Sequence, residues 1–245
     1  MRIHRQRAAR WWLLAVAVAS LVSPNAAIGR HKQQILAFRW DEKAPGCTLT
    51  RSDDGKYHYG LSASDVDVTV TIDAQELEKV HRRHEPFFSA LLTIHYLGQG
   101  SLDFTTQNIS LEFVKHFRVK QPVLDPDDFA AKVQDDADTL NDQTAREVAK
   151  HPEQKEPKEA LVRAFLKDAT DLQEFVGKNS LRPTRLLPGN AETQGWVLFS
   201  TNSKWIGGWK KKEEFILRLP LEGKMFEFPF KLPPKPGETI LRKRS

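Results

Sequence analysis

From Pro86 to Val114 the chain carries the run FFSALLTIHYLGQGSLDFTTQNISLEFV, which begins at Phe87. Phe88, Ala90, Leu92, Ile94 and Tyr96 occupy every second position; Leu102 and Phe104, then Ile109, Leu111 and Phe113, repeat the spacing. A helix would bury residues three and four apart. Period two instead turns one side of an extended strand toward a core. Gly98-Gln99-Gly100-Ser101 separates the two runs. Glycine reaches positive φ cheaply, so a hairpin reversal is expected there. A second β region, Gly195 to Phe230, lies far downstream, so the sheets must be assembled from distant parts of the chain.

The remaining segments take their reading from these two. Residues 30–44 lack a clear period, with Ile35, Leu36, Phe38 and Trp40 as anchors, and read as a leading arm. From Cys47 the apolar positions Leu49, Tyr57, Tyr59, Val66, Val68, Val70 and Ile72 predict two or three strands. Asp53-Asp54-Gly55 carries the residues that hairpin turns prefer. Asp73 to Arg83 reads either as a short connecting helix capped by Asp73 or as a strand edge plus loop. Lys115 to Leu124 extends or trails the last strand, and Pro122, which has no N–H to give a ladder, marks its end.

Asp125-Pro126-Asp127-Asp128 is a helix start: Asp125 caps, Pro126 lacks only an amide hydrogen that would be unpaired anyway, and the acids suit the positive dipole end. Phe129, Val133, Ala137, Leu140, Thr144 and Val148 recur at helical steps; after His151 to Pro157 the stripe resumes at Leu161, Phe165, Leu172 and Val176 up to Gly177. A helical hairpin over about 125–177 is therefore predicted. Leu181 to Leu187 returns as a strand, Pro188-Gly189-Asn190 turns, and strands follow at Gly195–Ser200, Glu213–Leu221 and Lys224–Phe230, the last two closing around Glu222-Gly223. Residues 233–245 are proline-rich and charged and read as a flexible tail.

Met1 to Arg10 is basic, and Trp11 to Val22 is an apolar run of twelve residues, short for a bilayer span and suited to a signal-peptide core. Residues 1–29 thus read as a cleavable leader, cut after Ala27-Ile28-Gly29, with Ala17-Val18-Ala19 as an alternative cut and a retained anchor as the alternative reading. A secreted or periplasmic protein is expected, with no stable transmembrane segment once the leader is removed. The formal charge of +5 includes Arg2, Arg5, Arg7 and Arg10; without them 33 Lys and Arg face 32 Asp and Glu. Near-neutrality gives no ground for a nucleic-acid partner. Cys47 is the only cysteine, so no intramolecular disulfide forms and the fold rests on its apolar core. Asn108-Ile109-Ser110 matches a glycosylation acceptor, relevant only in a eukaryotic setting.

Strands, then helices inserted in one connection, then strands again predict a mainly β domain over residues 45–232: an antiparallel β-sandwich with an inserted α-helical hairpin. The phrases FFSALLTIHYLGQGSLDF, NISLEF, LLPGNAETQGWVLF and FILRLPL resemble immunoglobulin-like modules of uncharacterised secreted bacterial proteins. The resemblance spans roughly residues 45–120 and 181–232. It implies an immunoglobulin-like sandwich and carries over no binding residue.

No GxSxG, SxxK, cysteine-protease or phosphate-loop pattern occurs, and His81-Arg82-Arg83-His84-Glu85 lacks the HExxH order of a zinc protease. No catalytic residue, metal or cofactor is assigned, and the chain reads as a non-enzymatic binding or envelope-associated structural module. His58, His95 and His116 read as ordinary polar strand residues. One segment has binding chemistry: Trp205 and Trp209 flank Gly207-Gly208 and precede Lys210, Lys211 and Lys212, offering flat apolar rings beside positive charge to a glycan, a polyanion or a protein partner; the alternative is that the tryptophans plug the end of the sandwich while the lysines keep an edge soluble. The helical hairpin is the second candidate, either facing an envelope or extracellular protein or covering an otherwise exposed sheet face. A hydrolase or metal-dependent enzyme whose groups meet only in three dimensions is the remaining alternative.

Overall fold

The computed structural model describes residues 35–73, 87–115, 119–200 and 213–232. The predicted leader (residues 1–29), residues 74–86 with the predicted connection, and residues 233–245 lie outside that range. Among the described residues the alternating runs form strands. β2 (Cys47–Arg51), β3 (Lys56–Ala63), β4 (Val66–Asp73) and β5 (Phe87–Tyr96) form an antiparallel meander. β10 (Glu192–Ser200) joins the free edge of β5, giving the five-strand order β10-β5-β4-β3-β2. Gly55 takes φ +84° in the β2–β3 turn, a conformation open to glycine at little steric cost.

The second five-stranded sheet has the order β1-β12-β11-β7-β8. It combines β7 (Ser110–Phe113) and the short edge strand β8 (Lys120–Pro122) with β11 (Glu213–Leu221) and β12 (Lys224–Leu232). β11 and β12 close through Glu222 (φ 44°) and Gly223 (φ 74°), two successive left-handed residues of the kind tight hairpins require. Within the stretch read as a leading arm, Leu36–Arg39 forms β1, which pairs in parallel with β12. Trp40, immediately after it, is buried and donates its indole N–H to the Thr48 carbonyl at 3.1 Å.

The inward faces of both sheets meet in one apolar core. Tyr59, Val68, Val70, Phe88, Leu92, Ile94 and Phe199 enter from the first sheet, and Leu111, Phe113, Phe215, Leu217, Phe226 and Phe228 from the second. A ribbon of β6 (Leu102–Phe104) and β9 (Thr184–Leu186) adds Leu102, Phe104 and Leu186 to the same core.

The hairpin expected at Gly98–Ser101 is absent. Both edges of β5 are taken by β4 and β10, so β6 cannot pair there and crosses to β9. Gly98 is required for a different reason. A Cβ at that position would collide with the Tyr96 ring.

α1 (Pro126–Lys150) and α2 (Lys155–Asn179) fill the predicted insertion, separated by a 3-10 turn at Pro152–Gln154. Asp125 caps α1 as read, its carboxylate accepting the Asp127 and Asp128 N–H groups at 2.9 and 3.2 Å. Phe129, Val133 and Ala137 pack on Phe165, Ala169 and Val176, and this second cluster takes in Phe87 and Leu198 from the outer face of β5 and β10. Leu161 departs from the predicted stripe. It is 67% exposed, and its neighbour Val162 is buried instead. Both residues reach Phe165 by helical steps of three or four, so periodicity alone does not separate them.

Candidate interaction surface

The helical hairpin is seated at its base and free at its far end. Each helix has 25 residues, about 37 Å at 1.5 Å per residue. Every fully buried residue of the pair lies at or before Ala137 on α1 and at or after Val162 on α2; residues 138–161 contain none. At the base, Gly195 lets the chain after α2 lie against β10. A Cβ there would meet the Leu181 backbone N and Cα at 2.5 Å. Phe175 tilts against Trp196 with ring centroids 5.7 Å apart, at the border between helices and sheet.

α1 carries seven Asp and Glu against three Lys and Arg. Asp128, Asp135 and Asp142 are exposed and seven residues apart. At 100° per residue they line one stripe, opposite the buried Phe129–Val133–Ala137 face. On α2 charges balance and fall into i,i+4 pairs, Lys167–Asp171 at 2.6 Å among them. Exposed pairs of this kind add little stability but keep the surface charged.

Two ion pairs clasp the hairpin. Arg182, beyond α2, binds Asp127 on α1 with two bonds of 2.8 Å, and Lys158 binds Glu147 across the far end. The hydrogen bond from Arg182 holds the Asp127 carboxyl below its ordinary value of 3.8, and Lys158 does the same to Glu147, ordinarily 4.5. Both folded values are depressed, so the stabilisation is complete above the ordinary values and is lost as pH falls through the folded ones. Thermal unfolding followed by far-UV circular dichroism should therefore show a drop in midpoint below about pH 4. Arg182→Gln should show a smaller drop; an unchanged one would remove Asp127 from the account.

The second sheet carries a transverse row of charges on its outer face. Arg39 on β1 lies 4.0 Å from Glu227 on β12, and Arg218 on β11 lies 3.1 Å from Glu227 and 2.9 Å from Glu112 on β7. Lys120 on β8 closes the row at 2.5 Å from Glu112. Signs alternate through all five strands. Glu112 and Glu227 are only 6% and 8% exposed, and each carboxylate has a cation on either side. The row ties the five strands together.

Away from the hairpin's seat, the outer face of the first sheet is largely polar. Register places Gln194, Thr93, Thr69, Gly60 and Thr48 in one row across its strands, and Trp196, Leu91, Thr71, His58 and Thr50 in the next. His58 bonds Ser52 and Thr71 within this face, an arrangement that motif reading missed because the three residues belong to no common spacing. His95 is exposed, opposite Asp67 and Glu192.

Trp205, Trp209, Lys210, Lys211 and Lys212 lie outside the described residues, as do His81, His84 and His116. Among the described residues no group of three or more His, Cys, Asp or Glu converges as a metal site, and no helix is long and apolar enough to cross a membrane. Comparison with protein-family models, with curated proteins and with solved structures finds no match to this chain.

Proposed function

We propose that the protein is an exported, non-enzymatic binding module of the cell envelope or extracellular space, built on an immunoglobulin-like sandwich, with the helical hairpin as its partner-facing element. Immunoglobulin sandwiches place strands B and E side by side in one sheet and C, F and G in the other. β5 beside β10, and β7-β11-β12, follow that pairing when they are taken as B, E, C, F and G. The hairpin then occupies the connection into E, where strand D would run, and β2–β4 precede B as an addition.

The observation that carries the reading is the free end of the hairpin. Residues 138–161 contribute no fully buried side chain, and beyond the half-buried Leu140 at its near end this stretch adds little to the apolar cluster. Connections held on a rigid scaffold are where binding surfaces concentrate. The acidic stripe on α1 favours a basic protein surface as the partner.

Photo-crosslinking tests this. A crosslinker at Leu161 of the full-length protein, expressed in its own cells, should capture a defined partner; one at Arg51 on the opposite sheet edge should not. Asp135→Lys with Asp142→Lys should abolish the Leu161 product while leaving the unfolding midpoint unchanged. Equal products from both sites, or indifference to charge reversal, would defeat the proposal.

A further inference from the structure

Ser52, His58 and Thr71 form a hydrogen-bonded chain. Ser52 Oγ lies 2.5 Å from His58 Nε2, and His58 Nδ1 lies 2.8 Å from Thr71 Oγ1. The backbone fixes all three positions. The Ser52 N–H donates to the Lys56 carbonyl at 2.9 Å, and the Gly55 N–H donates to the Ser52 carbonyl at 3.0 Å, which locks the turn. His58 lies opposite Thr71 in the β3–β4 register. Thr71 is only 4% exposed, so its hydroxyl is held in place beside Nδ1, where it can accept the ring proton. With the Nδ1 proton donated to Thr71, the Nε2 lone pair at 2.5 Å accepts the Ser52 O–H in preference to the Lys56 carbonyl, which lies 3.5 Å from the same hydroxyl. A hydroxyl bonded to a base that a third group orients is the arrangement that activates serine as a nucleophile.

We propose that Ser52 is a nucleophilic serine, with His58 as its general base and Thr71 as a positioning residue, and that it accepts an acyl group from activated esters. Ser52 Oγ attacks the ester carbonyl carbon while its proton passes to His58 Nε2. The new Oγ–C bond forms, the bond to the leaving alkoxide or phenolate breaks, and the proton leaves His58 for that group. The Ser52 and Gly55 N–H groups are already engaged, so neither is available to stabilise an oxyanion. Esters with good leaving groups are therefore the substrate class, and the acyl group stays on Ser52 instead of turning over. This site is independent of the hairpin and adds covalent modification to a binding module.

The test uses the full chain and p-nitrophenyl acetate. The expected result is one equivalent of p-nitrophenolate per protein, with the acetyl group mapped to Ser52 by peptide mass spectrometry. Ser52→Ala should abolish that modification, and His58→Gln should slow it about 100-fold, the scale of a lost general base. Thr71→Val should slow it measurably and Thr71→Ser should restore it, a rescue that simple packing of Thr71 would not predict. Each variant is first confirmed folded by circular dichroism. Acetylation of Ser52 no faster than in urea-unfolded protein, or at the wild-type rate in His58→Gln, would overturn the proposal.

Discussion

Arg218→Leu is expected to destabilise the protein by about 3 kcal/mol, because it removes the cation shared by two carboxylates that water scarcely reaches. Glu112 would keep Lys120 and Glu227 would keep Arg39, the latter only at 4.0 Å. The loss would come from burying charge without enough compensation, more than from the attraction removed. That account has a second consequence. Adding Glu112→Gln and Glu227→Gln to Arg218→Leu should recover much of the stability, because the uncompensated charges go with it. Urea unfolding of the wild type, the single and the triple variant measures both effects. A single variant within about 0.5 kcal/mol of wild type, the range of ordinary surface changes, would mean the row is held open to water.

Phe87→Ala should cost a similar amount, about 3–4 kcal/mol, from the transfer and cavity cost of a deleted core aromatic. Its location makes the effect specific. Phe87 is 1% exposed and points away from the main core; its ring meets Phe129 edge-on at 5.4 Å, in the cluster that seats the hairpin. Hydrogen exchange should show α1 and α2 losing protection in this variant while β4 and β11, packed in the main core, keep theirs. Uniform loss across helices and sheets would show instead that hairpin and sheets unfold as one cooperative unit.

The strands were legible because burial on one face forces a two-residue period, as in Val66-Val68-Val70 and Phe88-Ala90-Leu92. The α1 start was legible for an equally local reason, since Asp125 and Pro126 act on hydrogen bonds within one turn. Pairing was not legible. Nothing between Tyr96 and Leu102 reveals that β5 is already flanked on both edges, and Gly98 answers to the Tyr96 ring instead of to a hairpin. The interval from Leu36 to β12 likewise hides a parallel pairing across most of the chain.

Of the candidate sites, the hairpin was visible as two stripes, but which part of it is consumed by the sheets was not. Phe87 was visible as an apolar residue but out of phase with its strand's inward face; only the tertiary arrangement gives its outer face a helical cover. Ser52, His58 and Thr71 are spaced irregularly and meet because the β3–β4 register sets His58 opposite Thr71 and the turn after β2 brings Ser52 back onto His58.

The sequence by itself determined the alternation of the strands, the caps and breaks of the helices, the single cysteine and the acidic stripe of α1, because each depends on neighbours within a few residues. The tertiary structure decided strand order, the alternating row from Arg39 to Lys120, the seat of the hairpin on Phe87 and Leu198, and the Ser52–His58–Thr71 chain. Each of these depends on which distant backbone supplies the partner, and that is settled by competition among all strands for the same edges and the same core.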